Sequence, residues 1–278
     1  MPELPEVESA RSVIERAALG RTVTGVDDAD TYVCRPHTPG QLRDALVGRR
    51  LTAAHRRGKS MWCDTSPLGR GSTGPAGAPG PTLGIHLGMA GKIVVADADG
   101  TEIDGGDYWE GRRSTGDYRW SRFALTFADG GRLMLVDPRR LGRVRLDPPL
   151  EALGPDAATI TPAEFRAVIP RGTAPVKARL LDQHAIAGIG NLLADDILWR
   201  ARLNPARRVD TLARPDLDRL LRATRQALGA ALREGGVHTL PLIPYRKPGA
   251  TCPRDGEPME KSTVGGRTSW WCSREQAR

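Results

Sequence analysis

The sequence predicts an α+β protein. A β-rich N-terminal domain is entered through one helix and followed by a helical C-terminal domain and a small β-hairpin. Three observations carry this reading. Apolar residues near the N-terminus recur at helical steps. Between about 21 and 147 they alternate in short runs. After Asp147-Pro148-Pro149 the helical period returns. A length of 278 residues fits about two domains.

Residues 3–19 read as a helix, with Val7, Ala10, Ile14 and Ala17/Ala18 on one face and Gly20 as its stop. Thr22–Val26, Ile85–Ala96 and Phe123–Phe127 read as strands. Asp129-Gly130-Gly131 followed by Leu133–Val136 reads as a hairpin. Ser66–Thr82 and Asp104–Asp117 are rich in Gly and turn-forming or charged residues and read as loops. Thr161-Pro162 opens a helix with proline at its first position. Further helices are expected over Val176–Ala185, Asn191–Ala201 and Asp216–Glu234. The last carries Leu217, Leu220/Leu221, Thr224, Ala227/Leu228 and Ala231 on one face and ends at Gly235-Gly236. Residues 251–278 read as a β-hairpin appendage.

The 41 Lys and Arg against 33 Asp and Glu give a net charge of +8, which points to a polyanionic partner, most commonly a nucleic acid. No apolar run approaches the roughly 18 residues of a membrane helix. The acidic opening lacks the apolar stretch of a signal peptide, so a cytoplasmic protein is expected. A reducing compartment argues against disulfides among Cys34, Cys63, Cys252 and Cys272; Cys34 and Cys63 read as buried thiols in strand-like surroundings.

Met1-Pro2-Glu3 carries chemistry. Removal of the initiator Met leaves Pro2 as a secondary amine able to attack an aldehyde-like carbon and form an iminium, with Glu3 beside it to move a proton. On spacing alone the same residues read as a helix start whose acids suit the helix dipole.

The wider pattern changes that balance. Met1–Glu8 closely resembles the opening of the formamidopyrimidine-DNA glycosylase/endonuclease VIII family. Arg57-Gly58-Lys59-Ser60 resembles its lysine loop. His86-Leu87-Gly88-Met89-Ala90-Gly91 resembles its HLGM(S/T)G segment, with Ala90 for the hydroxyl residue. Asp137–Gly142 resembles DPRRFG, with Leu141 for Phe. Leu180–Gln183 through Gly188-Ile189-Gly190-Asn191 to Asp195 resembles the helix–two-turn–helix motif, and Gly265-Gly266-Arg267-Thr268 the finger's arginine turn. These matches follow the family's own order over almost the whole chain.

The resemblance implies an N-terminal β-sandwich with flanking helices (1–150), a helix–two-turn–helix domain (151–240) and a small β-hairpin finger (241–278). It implies a bifunctional DNA glycosylase/AP lyase acting on damaged double-stranded DNA, expected to be a monomer associated with the nucleoid through DNA. Pro2 would attack C1′ of the damaged nucleoside and Glu3 would serve as acid/base in opening the sugar. Lys59 would supply a cation to a phosphate or sugar oxygen, and Arg267 would hold phosphates and assist δ-elimination. Glu6 would support the site. The resemblance further assigns DNA contact to His86, Met89, Arg139, Arg140, Leu141, Lys177, Asn191 and Tyr245. Met89 fills the void of the extruded base, Arg139 pairs with the orphaned partner and Leu141 acts as the wedge. Met89 alone would read as core packing, and Asn191 as a plain helix cap. Tyr245-Arg246-Lys247 departs from the family's usual Tyr-Gly-Arg.

No cofactor is needed for this chemistry. The family's finger binds zinc through Cys-x2-Cys-x16-Cys-x2-Cys. In that register this chain has Cys252, Asp255, Cys272 and Glu275. Structural zinc prefers Cys and His. Two readings stand: weak zinc through these four residues, or a hairpin held without zinc by packing around Trp270 and Trp271. The second is preferred. The short Pro-rich stretch from Gly236 to Thr251 leaves no room for the longer capping loop of 8-oxoguanine enzymes and looks more like the endonuclease VIII branch. The rival reading is a catalytically weak DNA-damage binding protein of the same fold; a generic RNA-binding protein is more distant.

Overall fold

The computed structural model describes residues 2–68, 79–106 and 118–276. The chain divides into two compact units. One holds Pro2 and Glu6–Leu150. The other holds Glu3–Pro5 and continues from Glu151.

The first unit has two antiparallel sheets. The five-stranded sheet runs β1 (Val23–Asp27), β7 (Ser121–Phe127), β8 (Arg132–Val136), β5 (Lys92–Ala96) and β6 (Glu102–Gly106). The four-stranded sheet runs β2 (Leu51–Arg57), β3 (Ser60–Thr65), β4 (Leu83–His86) and β9 (Arg143–Leu146). One core joins them. Ile93, Phe123, Leu125, Leu133 and Leu135 from the first sheet meet Leu51, Met61, Cys63, Leu83, Ile85 and Val144 from the second. Val7, Ala10, Val13 and Ile14 of α1 (Leu4–Ala17) and Leu42 and Leu46 of α2 (Gln41–Leu46) complete it. This is the expected β-sandwich with flanking helices. Alternation put the right residues inward because a strand turns successive side chains to opposite faces.

Several local expectations change. Ile85–Ala96 is not one strand. It supplies the end of β4 and all of β5, which lie in different sheets, and the chain crosses between them at Leu87–Gly91. Gly88 makes this possible. Its φ is 63°, and a Cβ there would lie 2.4 Å from the carbonyl carbon of Leu141. Asp104–Gly106 are strand rather than loop. Residues 107–117 and 69–78 of the two expected loops lie outside the described residues. Helix α2 was not anticipated; its six residues are too few to display a helical period. Both N-domain thiols are buried, Cys63 in β3 and Cys34 in a turn, and burial pushes each up to about 12.

The second unit is helical. Its elements are α3 (Pro162–Val168), α4 (Val176–Leu181), α5 (Asn191–Ala201) and α6 (Arg214–Glu234), followed by the hairpin β10 (Met259–Val264) and β11 (Arg267–Cys272). Thr161 and Glu164 close a reciprocal capping box on α3. The predicted face of α6 is buried against α5 and α3 residues in one core. Helix α4 stops at Leu181, four residues earlier than expected. Asp182 accepts the His184 N–H at 3.0 Å, a local turn that competes with the helix.

Candidate active site

The start of α5 is built by residues far apart in sequence. Gln183 donates to the carbonyls of Leu181 and Ile189 at 2.9 and 3.0 Å and accepts the Gly188 N–H at 2.9 Å, fixing the turn before the helix. Glu3 then caps the helix. Its Oε2 accepts the N–H groups of Gly190 and Leu193 at 2.8 and 3.1 Å, and its Oε1 that of Leu192 at 2.9 Å. A buried carboxylate at a helix N-terminus satisfies donors that would otherwise lack partners and meets the positive end of the dipole. Gly190 is required here: a Cβ would sit 2.3 Å from Glu3 Cδ. Asn191 is the first residue of α5 rather than its cap, and its Oδ1 is shielded without a hydrogen-bond partner. Pro2, one peptide bond before Glu3, is buried, as is Glu6 in the first turn of α1.

In the first unit, Lys59 lies in the β2–β3 turn, where Gly58 has φ 60°. His86 ends β4, and its Nδ1 accepts the Gly88 N–H at 3.0 Å, which leaves Nε2 as the donor. Burial, then Lys59 and Arg143, hold its imidazole below the ordinary value, so it is neutral at pH 7. Met89 is half-buried in the Leu87–Gly91 turn and takes no part in the core clusters. That turn abuts the one carrying Arg139, Arg140 and Leu141, which buried Asp137 organises by accepting the N–H groups of Arg139 at 3.0 Å and Gly142 at 2.6 Å. Arg139 is exposed, and Leu141 is exposed despite being a large apolar residue. Arg140, at φ 54°, is held by Asp30 through two bonds of 2.9 Å.

One expected DNA contact is placed differently. Lys177 is fully buried, its ammonium 2.6 Å from Asp195 and donating to the Thr268 carbonyl at 2.8 Å. Asp195 also accepts Arg246 Nε at 2.8 Å and the Trp270 N–H at 3.2 Å. Burial draws Lys177 down and Asp195 up, and their mutual attraction opposes both shifts. Lys177 therefore grips the backbone of β11 next to Arg267 instead of facing a phosphate. The same hub explains the departure at Tyr245-Arg246-Lys247: Arg246 is a structural cation, and Tyr245 is exposed. Sequence reasoning placed Gln183 and Asp195 in the helix–two-turn–helix match without a role and did not single out Asp30, because only their partners show what they do.

Arg267 is exposed beside the two-residue turn Gly265-Gly266, both at positive φ. Gly265 must be small, since its Cβ would lie 2.9 Å from Ala178 Cβ on α4.

The sequence matches two family models. Residues 1–144 match the formamidopyrimidine-DNA glycosylase N-terminal domain and residues 152–240 the formamidopyrimidine-DNA glycosylase H2TH domain. The chain belongs to the formamidopyrimidine-DNA glycosylase family. It is 33% identical over 305 residues to the formamidopyrimidine-DNA glycosylase of a Parafrankia strain, covering all of this chain and 98% of that one. It is 33% identical to that of Chloroflexus aurantiacus, covering 98% and 96%. Among solved structures it resembles Lactococcus lactis Fpg in complex with DNA containing an oxidised pyrimidine, and MutM in complex with DNA containing carbocyclic 8-oxo-G. Each has TM-score 0.79 at 25% identity and full coverage of both chains.

Against the family's zinc finger, the hairpin of this member gathers Cys252, Asp255 and Cys272, whose ligand atoms lie within 4.8 Å of one another. The residues do not make a four-ligand structural site. Glu275, in the fourth place, pairs with Arg254 and, at 3.4 Å, with Arg202. Cys252 Sγ accepts Trp199 Nε1–H at 3.3 Å, and the Cys272 thiol donates to Asp255 at 3.3 Å. Trp199, Leu242, Cys252, Met259, Trp270 and Cys272 form a small core of their own.

Proposed function

We propose that catalysis in this base excision repair DNA glycosylase runs through the Pro2 amine. After removal of Met1, the Pro2 nitrogen attacks C1′ of the damaged nucleoside, the C1′–N bond breaks, and the base leaves with a proton. The C1′–O4′ bond then breaks as Glu3 gives O4′ a proton, which opens the sugar to an iminium at C1′. The iminium acidifies the C2′ proton, so β-elimination expels the 3′ phosphate and δ-elimination the 5′ phosphate. The observation that carries this reading is the Glu3 cap: the residue following the nucleophile is buried and bound to three helix N–H groups, so the N-terminus is a positioned element. Glu3 acts as acid/base at the sugar. Lys59, His86 and Asn191 bind phosphates, Asn191 through its side chain at the first residue of α5. Met89, Arg139 and Leu141 fill and hold the gap left by the extruded nucleotide. Tyr245 contacts the backbone, Glu6 supports the site, and Arg267 holds the phosphates flanking the lesion. Lys177 acts as a positioning residue for Arg267, and Arg140 holds its turn to Asp30.

We also propose that the finger, as a third module over 241–278, works without zinc through the contacts that have taken up Cys252, Asp255, Cys272 and Glu275. The compact connection from 236 to 251 supports oxidised pyrimidines and ring-opened purines as lesions ahead of 8-oxoguanine. The substrate is damaged duplex DNA, handled by a monomer. Among the described residues no helix is long and apolar enough to cross a membrane.

The deciding experiment is borohydride trapping on abasic-site duplex with the wild type, Pro2→Gly and Glu3→Gln. A covalent adduct at Pro2, absent from Pro2→Gly, is expected. Folded wild-type protein that binds the duplex but gives no adduct would make this a damage-binding protein instead.

A further inference from the structure

We infer that the outer face of the four-stranded sheet holds a second phosphate site, formed by Ser60, His86, Arg143 and Arg145, which binds a backbone phosphodiester of the duplex. This rests on the DNA reading above. It concerns residues outside the recognised motifs except His86 and Ser60.

The register places the four side chains together. His86 pairs with Arg143 and Gly84 with Arg145 across β4 and β9, so both arginines stand on the face that His86 occupies. They line an opening of about 360 Å³ with Ser60, Leu141 and Pro148. Gly84 lets the ring of Pro148 pack over the strand at one side of the opening: a Cβ there would lie 2.7 Å from Pro148 Cγ.

The electrostatics call for an anion. Arg143 and Arg145 are half-buried, and neither has an ion pair among the described residues. Arg145 Nε is shielded without a hydrogen-bond partner. Other arginines of the chain, such as Arg11, Arg21, Arg140 and Arg208, are pushed up by a carboxylate. Arg143 is instead drawn below the ordinary guanidinium value, by burial first and then by Arg35 and Arg145. Neutral His86 adds an Nε2–H donor and Ser60 a hydroxyl, while no carboxylate lines the opening. Two half-buried cations side by side, with donors around them, suit a tetrahedral anion that only accepts. The duplex backbone is favoured over a free anion because the opening lies between two DNA-facing elements. Ser60 follows Lys59 directly, and Leu141 forms part of the rim.

The test measures Kd for an abasic-site duplex across a salt series. Arg143→Gln/Arg145→Gln should weaken binding about 10-fold and lower the slope of log Kd against log salt by about 1, the loss of one phosphate contact. Arg143→Lys/Arg145→Lys should retain the slope with a smaller loss of affinity, which separates charge from folding. Arg132→Gln, an exposed arginine elsewhere on this unit, should leave Kd and slope unchanged. An unchanged slope in the Gln pair, with the wild type still binding and trapping, overturns the site and leaves the glycosylase reading intact. If inorganic phosphate raises Tm in the wild type but not the Gln pair while DNA affinity is equal in both, the site takes free anions only and the proposal also fails. A wild type whose own binding is insensitive to salt would count against the DNA reading itself.

Discussion

The start of α5 and the hairpin finger belong to the same unit, yet they respond differently to sequence change. At α5, the capping carboxylate is engaged by backbone. Glu3 takes three N–H groups, and Gly190 leaves no space for a Cβ against it. In the finger, half of the expected ligand positions have changed. The finger is held by Trp199 on Cys252 and Asn204 on the Gln276 carbonyl, from outside it, and by Arg254 on Glu275 within it. A site defined by close backbone approach has no substitutes, whereas a scaffold can be held by any set of contacts with enough buried area.

Substitution at the helix start should therefore have the largest effect. Gly190→Ala drives a methyl into Glu3, and we expect loss of the borohydride adduct together with a lower Tm. An adduct yield near that of the wild type would show that the cap is dispensable.

Next comes the hub that joins the two regions. Lys177→Met leaves Asp195 buried against Arg246 alone, and removing one partner of a buried pair costs about 3–5 kcal/mol. Urea denaturation should show that loss, with an accompanying change in the emission of Trp270 and Trp271. A shift below about 1 kcal/mol would mean that the pair contributes as little as one at the surface.

Zinc removal should have less effect still. Protein treated with a strong chelator should keep its hairpin, its DNA affinity and its trapping yield, and metal analysis should find well under one zinc per chain. Stoichiometric zinc, with loss of the adduct on chelation, would restore the metal reading of Cys252, Asp255 and Cys272.

The smallest effect concerns pH and extends the comparison to the intact turn after β4. The folded-state imidazole of His86 titrates below its ordinary value of 6.5. Between the two values the unfolded chain binds more protons, so this contribution to stability is present above about pH 6.5 and is lost as pH falls through the folded value. His86→Gln should flatten that part of the stability profile, and an identical profile would place the pH dependence elsewhere.

Much of this was readable from residues alone. Period-two alternation identified the sandwich core, and the helical face of α6 appeared as predicted, because burial imposes those periods directly. The break of Ile85–Ala96 into two sheets was not readable, since a run of apolar residues says nothing about which sheet receives it. The motif residues Pro2, Glu3, Lys59 and Arg267 could be identified by order. The partners that fix their neighbours could not. Asp195 is one acid in an Asp195-Asp196 pair, and nothing local marks it as the acceptor for Lys177, Arg246 and the Trp270 N–H. Arg143 and Arg145 likewise look like ordinary strand arginines until the register places them on one face, without an ion pair among the described residues.

The Glu3 cap also bears on folding order. It links positions 187 to 190 residues apart, and contacts at such separation form only after a large loop-closure cost has been met. During synthesis the N-terminal segment emerges first, but its anchor on α5 does not exist until more than two-thirds of the chain has been made. The sandwich can collapse around Val7, Ala10 and Ile14 while Glu3 still lacks its helix. A polypeptide interrupted before residue 190 would carry Pro2 without the cap that fixes Glu3 beside it, so under the proposed mechanism the amine gains its setting only in a chain long enough to include α5.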